Sequence, residues 1–194
     1  TFKVVVGQEP EQQTFLVHEE ILCNCSEFFR RAMNGDWAES SDRVVKLPED
    51  EADTFELYLN LVYTGNIPIK KDTPTPRDND ASDDEDGFDP LHILVRIYIL
   101  AEKLQDVLAK NQLVRSLLAL LVETDRNGYY YRFVAYTIFI IYDETPKNSG
   151  LRRIAIHSYT DPMWEGFLEY HKNKWPREFL FDLALAFMNN RDGP

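Results

Sequence analysis

FLVHEEILCNCSEFF, Phe15 to Phe29, holds one of the chain's four histidines, both of its cysteines and an Asn24-Cys25-Ser26 triplet spelled like a glycosylation sequon. The stretch therefore offers a metal site, a secreted glycopeptide, a redox pair or plain helix. Zinc favours imidazole and thiolate, but a structural zinc site needs four ligands and usually two or more residues between paired cysteines. Here one residue separates Cys23 from Cys25, and on a helix their side chains diverge by about 200°. A disulfide across so short a gap would be strained, so a reducing, intracellular setting fits better and the sequon has no secretory route to use. What remains is structure. Phe15 to Val17 ends a strand, Ile21 and Leu22 are the apolar face of a short helix, and Ser26 stands where an N-cap would begin a second helix carrying Phe28, Phe29, Ala32 and Met33. The cysteines serve as small apolar packing groups and the histidine as a locally hydrogen-bonded one.

On the N-terminal side, Phe2 to Gly7 is β-rich, so it pairs with Thr14 to Val17 as a hairpin with a long polar connection. On the C-terminal side, Asn34-Gly35-Asp36 ends the second helix. Arg43 to Leu47 alternates as a short strand closed by Pro48, and Glu49 to Glu51 bring acid to the positive end of the next helix. In that helix Phe55, Tyr58, Leu59 and Val62 recur at i, i+3, i+4 and i+7, with Glu56, Asn60 and Tyr63 opposite, and Gly65 supplies the stop. Asp89-Pro90 reads as N-cap and first residue of an apolar helix through Leu91, Leu94, Val95, Tyr98 and Leu104. Asp106 caps another that buries Val107, Leu113, Val114, Leu117, Leu118 and Leu121.

Together the strand ending in Gly7, the F-x-V-H-E-x-x-L-x-x-x-S-x-F-F of Phe15 to Phe29, the V-x-L-P-E-D of Val45 to Asp50 and the F-x-x-Y-L-x-L-V-Y-T-G of Phe55 to Gly65 resemble the BTB/POZ domain. The resemblance spans 1–123, leaving 124–194 as a C-terminal extension. Within the extension, Y-D-E-T-P at Tyr142 to Pro146, L-R-R at Leu151 to Arg153 and W-P-x-E-F-L at Trp175 to Leu180 are similar to the helical tail of BTB proteins from fungi. It implies an α+β fold, a helical cluster on a small three-stranded sheet, followed by an all-α extension. We expect tail helices near 130–142, 150–159 and 177–189, punctuated by Pro146, Pro162 and Pro176, with Pro176 in a first turn.

The resemblance also implies a protein-interaction module without catalysis, whose partners are a second BTB chain, a transcriptional corepressor or the scaffold of a cullin-type E3 ubiquitin ligase. For the scaffold, it points to the exposed side of the 52–63 helix and the turn after it, and so to Leu57, Asn60 and Tyr63. The alternative is a self-associating structural or transcription-regulatory module with no ligase role. Two departures bear on this choice. Nothing in the given residues precedes the first strand, where many dimeric members carry an exchanged helix. Glu19 stands where many members have a basic residue, which argues against the charged pocket of the repressor type.

Charge narrows the partners further. The chain carries a net charge of -12, and it gathers no Lys/Arg cluster of the kind that counterion release from nucleic acid requires. Residues 72–90 hold eight Asp or Glu against one Arg, which accounts for -7 of that charge. With repeated Thr-Pro and almost no apolar side chain, this stretch reads as a flexible acidic insert. Ser82 precedes Asp83, Asp84 and Glu85, and Thr73 and Thr75 precede prolines, so these three are candidate phosphorylation sites set against a merely solvating insert. Ser82 to Asp89 is spelled somewhat like a calcium loop, but Ile93 stands where its bidentate Glu belongs.

No apolar run reaches the roughly 20 residues a membrane-spanning helix needs. No targeting segment is legible in the given residues, which lack an initiator Met and read as a piece of a longer chain. The expected location is intracellular, in cytoplasm or nucleus. Nucleophile elbow, phosphate-cradling glycine loop, zinc-binding His pair and dinucleotide fingerprint are all absent from the sequence, so no catalytic residue and no cofactor are expected. His92 sits in an apolar helix as a core or boundary residue, and His157 and His171 have no nucleophile beside them. Tyr129 to Tyr131, Phe133, Tyr136, Phe139 and Tyr142 read as core, although such ring density also suits a partner groove.

Overall fold

The computed structural model describes residues 1–34, 42–67, 89–124, 128, 130–160 and 175–191. It is α+β, with one three-stranded sheet and helices making up most of the rest. The chain divides into two compact units, one of residues 1–69 and 96–115, the other of 70–95 and 116–194.

In the first unit, β1 (Phe2–Val6) pairs antiparallel with β2 (Gln13–Val17), Phe2 facing Val17 and Val6 facing Gln13. On its other edge β1 pairs in parallel with β3 (Val44–Leu47), giving the order β2-β1-β3. Alternation along β1 sends Phe2, Val4 and Val6 into the core, as a one-sided sheet requires. The same unit holds α1 (Glu19–Cys25), α2 (Glu27–Asn34) and α3 (Ala52–Thr64), together with the parts of α4 (Pro90–Lys103) and α5 (Val107–Leu121) that belong to it.

Aromatic rings fill the space. Phe29 meets Phe2 at 5.6 Å between centroids, and Phe55 meets Phe15 at 5.1 Å and Tyr58 at 6.0 Å. Fully burying each such ring contributes about 1.5–3 kcal/mol. The buried face of α3 is Phe55, Tyr58 and Leu61, while Leu59 and Val62 of the expected stripe are half-buried. A 3.6-residue helix presents either 61 or 62 after 58, and here packing selects 61.

Short polar side chains begin α2 and α5. Ser26 is buried; its Oγ accepts the Phe29 N–H at 3.2 Å and donates to the Leu104 carbonyl at 2.6 Å. Asp106, also buried, accepts the Ala109 N–H on Oδ1 at 2.9 Å and the Tyr58 hydroxyl on Oδ2 at 3.0 Å. Burial, together with the Asp106 charge and hydrogen bond, pushes the Tyr58 phenol far above its ordinary value. The acids before α3 find cations: Asp50 pairs with Lys103 at 2.7 Å, and Glu51 with Arg96 at 2.5 Å.

In the second unit, α6 (Ala135–Glu144), α7 (Gly150–Tyr159) and α8 (Arg177–Arg191) pack on one another. The expected helix near 130–142 starts only at Ala135. Ahead of it Tyr130 bridges Thr124, and Arg132 donates Nη1 to the carbonyls of Leu121 and Tyr131, holding the aromatic-rich run out of helix. Pro176 stands one residue ahead of α8, its carbonyl accepting the Leu180 N–H at 3.1 Å. Tyr131, Phe133 and Tyr142 are core, whereas Tyr130, Tyr136 and Phe139 are exposed, so the ring-rich stretch is split between the two roles. Tyr129, Pro162 and His171 lie outside the described residues. Among the described residues no helix is long and apolar enough to cross a membrane.

Candidate functional site

Gly65 ends α3 in the left-handed region at φ +73°, its N–H bonded to the Leu61 carbonyl at 2.8 Å. This conformation suits glycine because it has no Cβ to clash. Thr64 secures the same end by donating its hydroxyl to the Asn60 carbonyl at 2.7 Å and accepting the Asn66 N–H at 3.1 Å. Gln112 of α5 donates to the Gly65 carbonyl. The helix end and its turn are therefore fixed on three sides.

On this frame stand Leu57, Asn60 and Tyr63, three residues apart along α3. Leu57 and Asn60 are half-buried, and Asn60 donates its side-chain amide to the Glu56 carbonyl at 3.1 Å. Tyr63 is 40% exposed, yet its hydroxyl accepts the backbone N–H of His18 at 2.9 Å and lies 3.1 Å from His18 Nδ1. The two rings meet edge to face at 5.8 Å. So Tyr63 joins α3 to the junction of β2 and α1, while leaving much of its ring to solvent. His18 and Gln112 are the residues that sequence reasoning missed as builders of this surface. They lie 45 and 47 positions from their partners, beyond any local spacing rule.

Glu19, the departure noted above, pairs with Arg43, whose guanidinium also donates to the Thr1 carbonyl at 2.9 Å. Its charge is thus spent on fastening α1 to the strand ends. Cys23 and Cys25 are free thiols, half-buried, and burial pushes both above their ordinary pKa, helped by Glu19 at Cys23 and by Asp106 at Cys25. A neutral thiol is neither a nucleophile nor a ready metal ligand. Among the described residues no group of three His, Cys, Asp or Glu is placed to hold a metal ion. His92 is a boundary residue, 3.1 Å from Thr137 Oγ1 and stacked on Tyr136. Thr73, Thr75 and Ser82 lie outside the described residues.

The sheet, the aromatic core and the fixed α3 turn all fall within the stretch that a family comparison identifies. The BTB/POZ domain model matches residues 2–78. Residues 2–78 are a BTB/POZ domain. BTB domains are protein-interaction modules, and the match supports that role for residues 2–78.

Proposed function

We propose that this chain is a non-catalytic adaptor whose BTB domain engages the scaffold of a cullin-type E3 ubiquitin ligase through Leu57, Asn60, Tyr63 and the turn at Gly65. One observation carries this reading. Tyr63 presents an exposed ring while its hydroxyl is tied to His18, and a rigid, half-exposed tyrosine suits an interface hot spot because little side-chain entropy is lost on binding. In this account residues 1–123 form the scaffold-binding module and 124–194 its helical extension, and the acidic insert at 72–90 bears the phosphorylation sites. The test is titration of the purified chain against a purified cullin amino-terminal domain. Tyr63→Ala should weaken binding by at least about tenfold, as expected for loss of a hot spot of about 1.4 kcal/mol or more. Unchanged affinity in a variant that melts like the parent removes the assignment.

Self-association is a second reading, favoured by Leu16, which is 69% exposed on the edge strand β2. Light scattering separates the two readings. A mass that rises with concentration and falls back in Leu16→Lys supports self-association, and a constant monomer mass removes it.

A further inference from the structure

Thr145 to Thr160 carries Lys147, Arg152 and Arg153 and no acidic residue, in a chain whose net charge is -12. These side chains converge. Lys147, Arg152, Arg153, Ile156, His157 and Thr160 line an open cleft of about 390 Å³ with Asp182 and Ala186 of α8. That volume lies within the range of known ligand sites.

The two adjacent arginines have different fates. Arg152 is buried and four of its five guanidinium N–H groups are engaged: Nη2 donates to the carbonyls of Tyr142 at 2.7 Å and Thr145 at 2.5 Å, Nη1 to Glu178 at 2.9 Å and Nε to Thr145 Oγ1 at 3.3 Å. It builds the wall, committed to these protein acceptors. Arg153 is exposed, and no partner of its guanidinium is found among the described residues. Lys147 reaches Glu178 only at 3.4 Å, with its side chain 82% exposed; such a pair contributes about 0–1 kcal/mol and is readily exchanged for a better anion. His157, one turn after Arg153, is exposed on the same rim.

The carbonyl of His157 at the end of α7 would repel an anion, but it is covered by the N–H of Thr160 at 3.3 Å and its hydroxyl at 2.9 Å. Asp182, the one acid in the lining, already accepts the Tyr142 hydroxyl at 3.1 Å. As a lining residue with lone pairs left over, it can also accept a donor group. A cationic rim, an apolar floor of Ile156 and Ala186, and a single carboxylate together match a segment with an anionic side chain, a small apolar part and a backbone N–H.

We propose that this cleft binds an acidic peptide segment of a partner protein, Arg153 and Lys147 gripping its anionic side chain and Asp182 accepting a backbone N–H. The planar guanidinium suits carboxylate and phosphate alike, in two parallel bonds. The site belongs to the other unit from α3, and the proposal does not depend on the scaffold reading.

The test is fluorescence anisotropy with the full chain and three short labelled peptides of one backbone, bearing Glu, phosphoserine or Gln at the same positions. The Glu and phosphoserine peptides should bind saturably and more weakly as salt rises, and the Gln peptide at least about tenfold more weakly, the loss expected for a charge-assisted bond. Binding of the phosphoserine peptide alone would narrow the ligand to phosphate within the same proposal. Arg153→Ser with Lys147→Ser, both solvent-facing and harmless to the core, should abolish the preference for charge, whereas Tyr63→Ala should leave it intact. Equal binding of all three peptides, no binding of either anionic one, or an unchanged preference in the double variant would overturn the proposal.

Discussion

The two units hold their helices by different means. In the unit of 1–69 and 96–115, short side chains do it: Ser26 and Asp106 each cap a helix and reach one further partner, and both oxygens of Asp106 are bonded. In the unit of 70–95 and 116–194, Ser149 likewise caps α7 by accepting the Leu151 N–H at 3.2 Å, but one long side chain, Arg152, also gathers the end of α6, the following turn and Glu178 of α8. Even the aspartate that caps a helix there is less complete. Asp89 accepts the Leu91 N–H on Oδ1 at 3.0 Å, but its buried Oδ2 has no hydrogen-bond partner among the described residues. Local caps make each helix start independent of the others, whereas a shared hub makes several elements fail together.

Breaking the hub should therefore cost most. Arg152→Met leaves two carbonyls and Thr145 Oγ1 without their donor, and stranding such buried acceptors at about 1–3 kcal/mol each should make the loss exceed about 3 kcal/mol. Denaturant unfolding followed by tryptophan fluorescence would report it through Trp175, which packs on Phe179 and Tyr159. In the first unit, Asp106→Ala removes a cap worth about 1 kcal/mol and strands the buried Tyr58 hydroxyl at about 1–3 kcal/mol more. Thermal melting should show a loss of about 2–4 kcal/mol, and Tyr58→Phe in the same background should recover part of it. A loss at Asp106 as large as that at Arg152 would erase the distinction between cap and hub.

The incomplete cap gives a signature in pH. Burial raises the Asp89 carboxyl from 3.8 to about 6, only partly offset by the backbone N–H groups of Leu91 and His92. The folded state thus holds a proton that the unfolded chain releases, so stability falls as pH rises through the interval from about 4 to about 6. At neutral pH the ionised group costs up to about 3 kcal/mol relative to acid. Asp89→Asn should remove that slope from unfolding free energies measured across the interval, and an unchanged slope would place the proton elsewhere. The smallest effect is expected at Tyr63→Phe, which removes the tie to His18 at the surface. A loss near 1 kcal/mol or less is expected in chemical denaturation, and one well above it would mean that Tyr63 is chiefly a structural residue.

The same division explains what could be read from the chain. Ser26, Asp89, Asp106 and Gly65 announce themselves, because caps and stops depend on neighbours two to four residues away and those residue types serve few other purposes. The strand pairing of β1 with β2 and the buried residues of β1 follow from alternation in the same way. Arg152 did not stand out from Arg153, since what separates them is the set of carbonyls at Tyr142 and Thr145, placed by a turn that no periodicity specifies. The start of α6 at Ala135 was misjudged because Arg132 holds Tyr131 extended through a contact with Leu121. At the candidate surface, the exposure of Tyr63 was legible as the side of α3 opposite its apolar stripe, whereas Leu57 and Asn60 are half-buried. The anchoring of Tyr63 to His18 was not, because it depends on two elements meeting in space.

The most direct test of the adaptor reading is isothermal titration of the purified chain with a purified cullin amino-terminal domain, run for the parent, Tyr63→Phe and Tyr63→Ala. The account predicts saturable binding that survives in Tyr63→Phe, which keeps the ring, and weakens by at least about tenfold in Tyr63→Ala. No heat of binding in the parent, or equal affinity in all three, would contradict it.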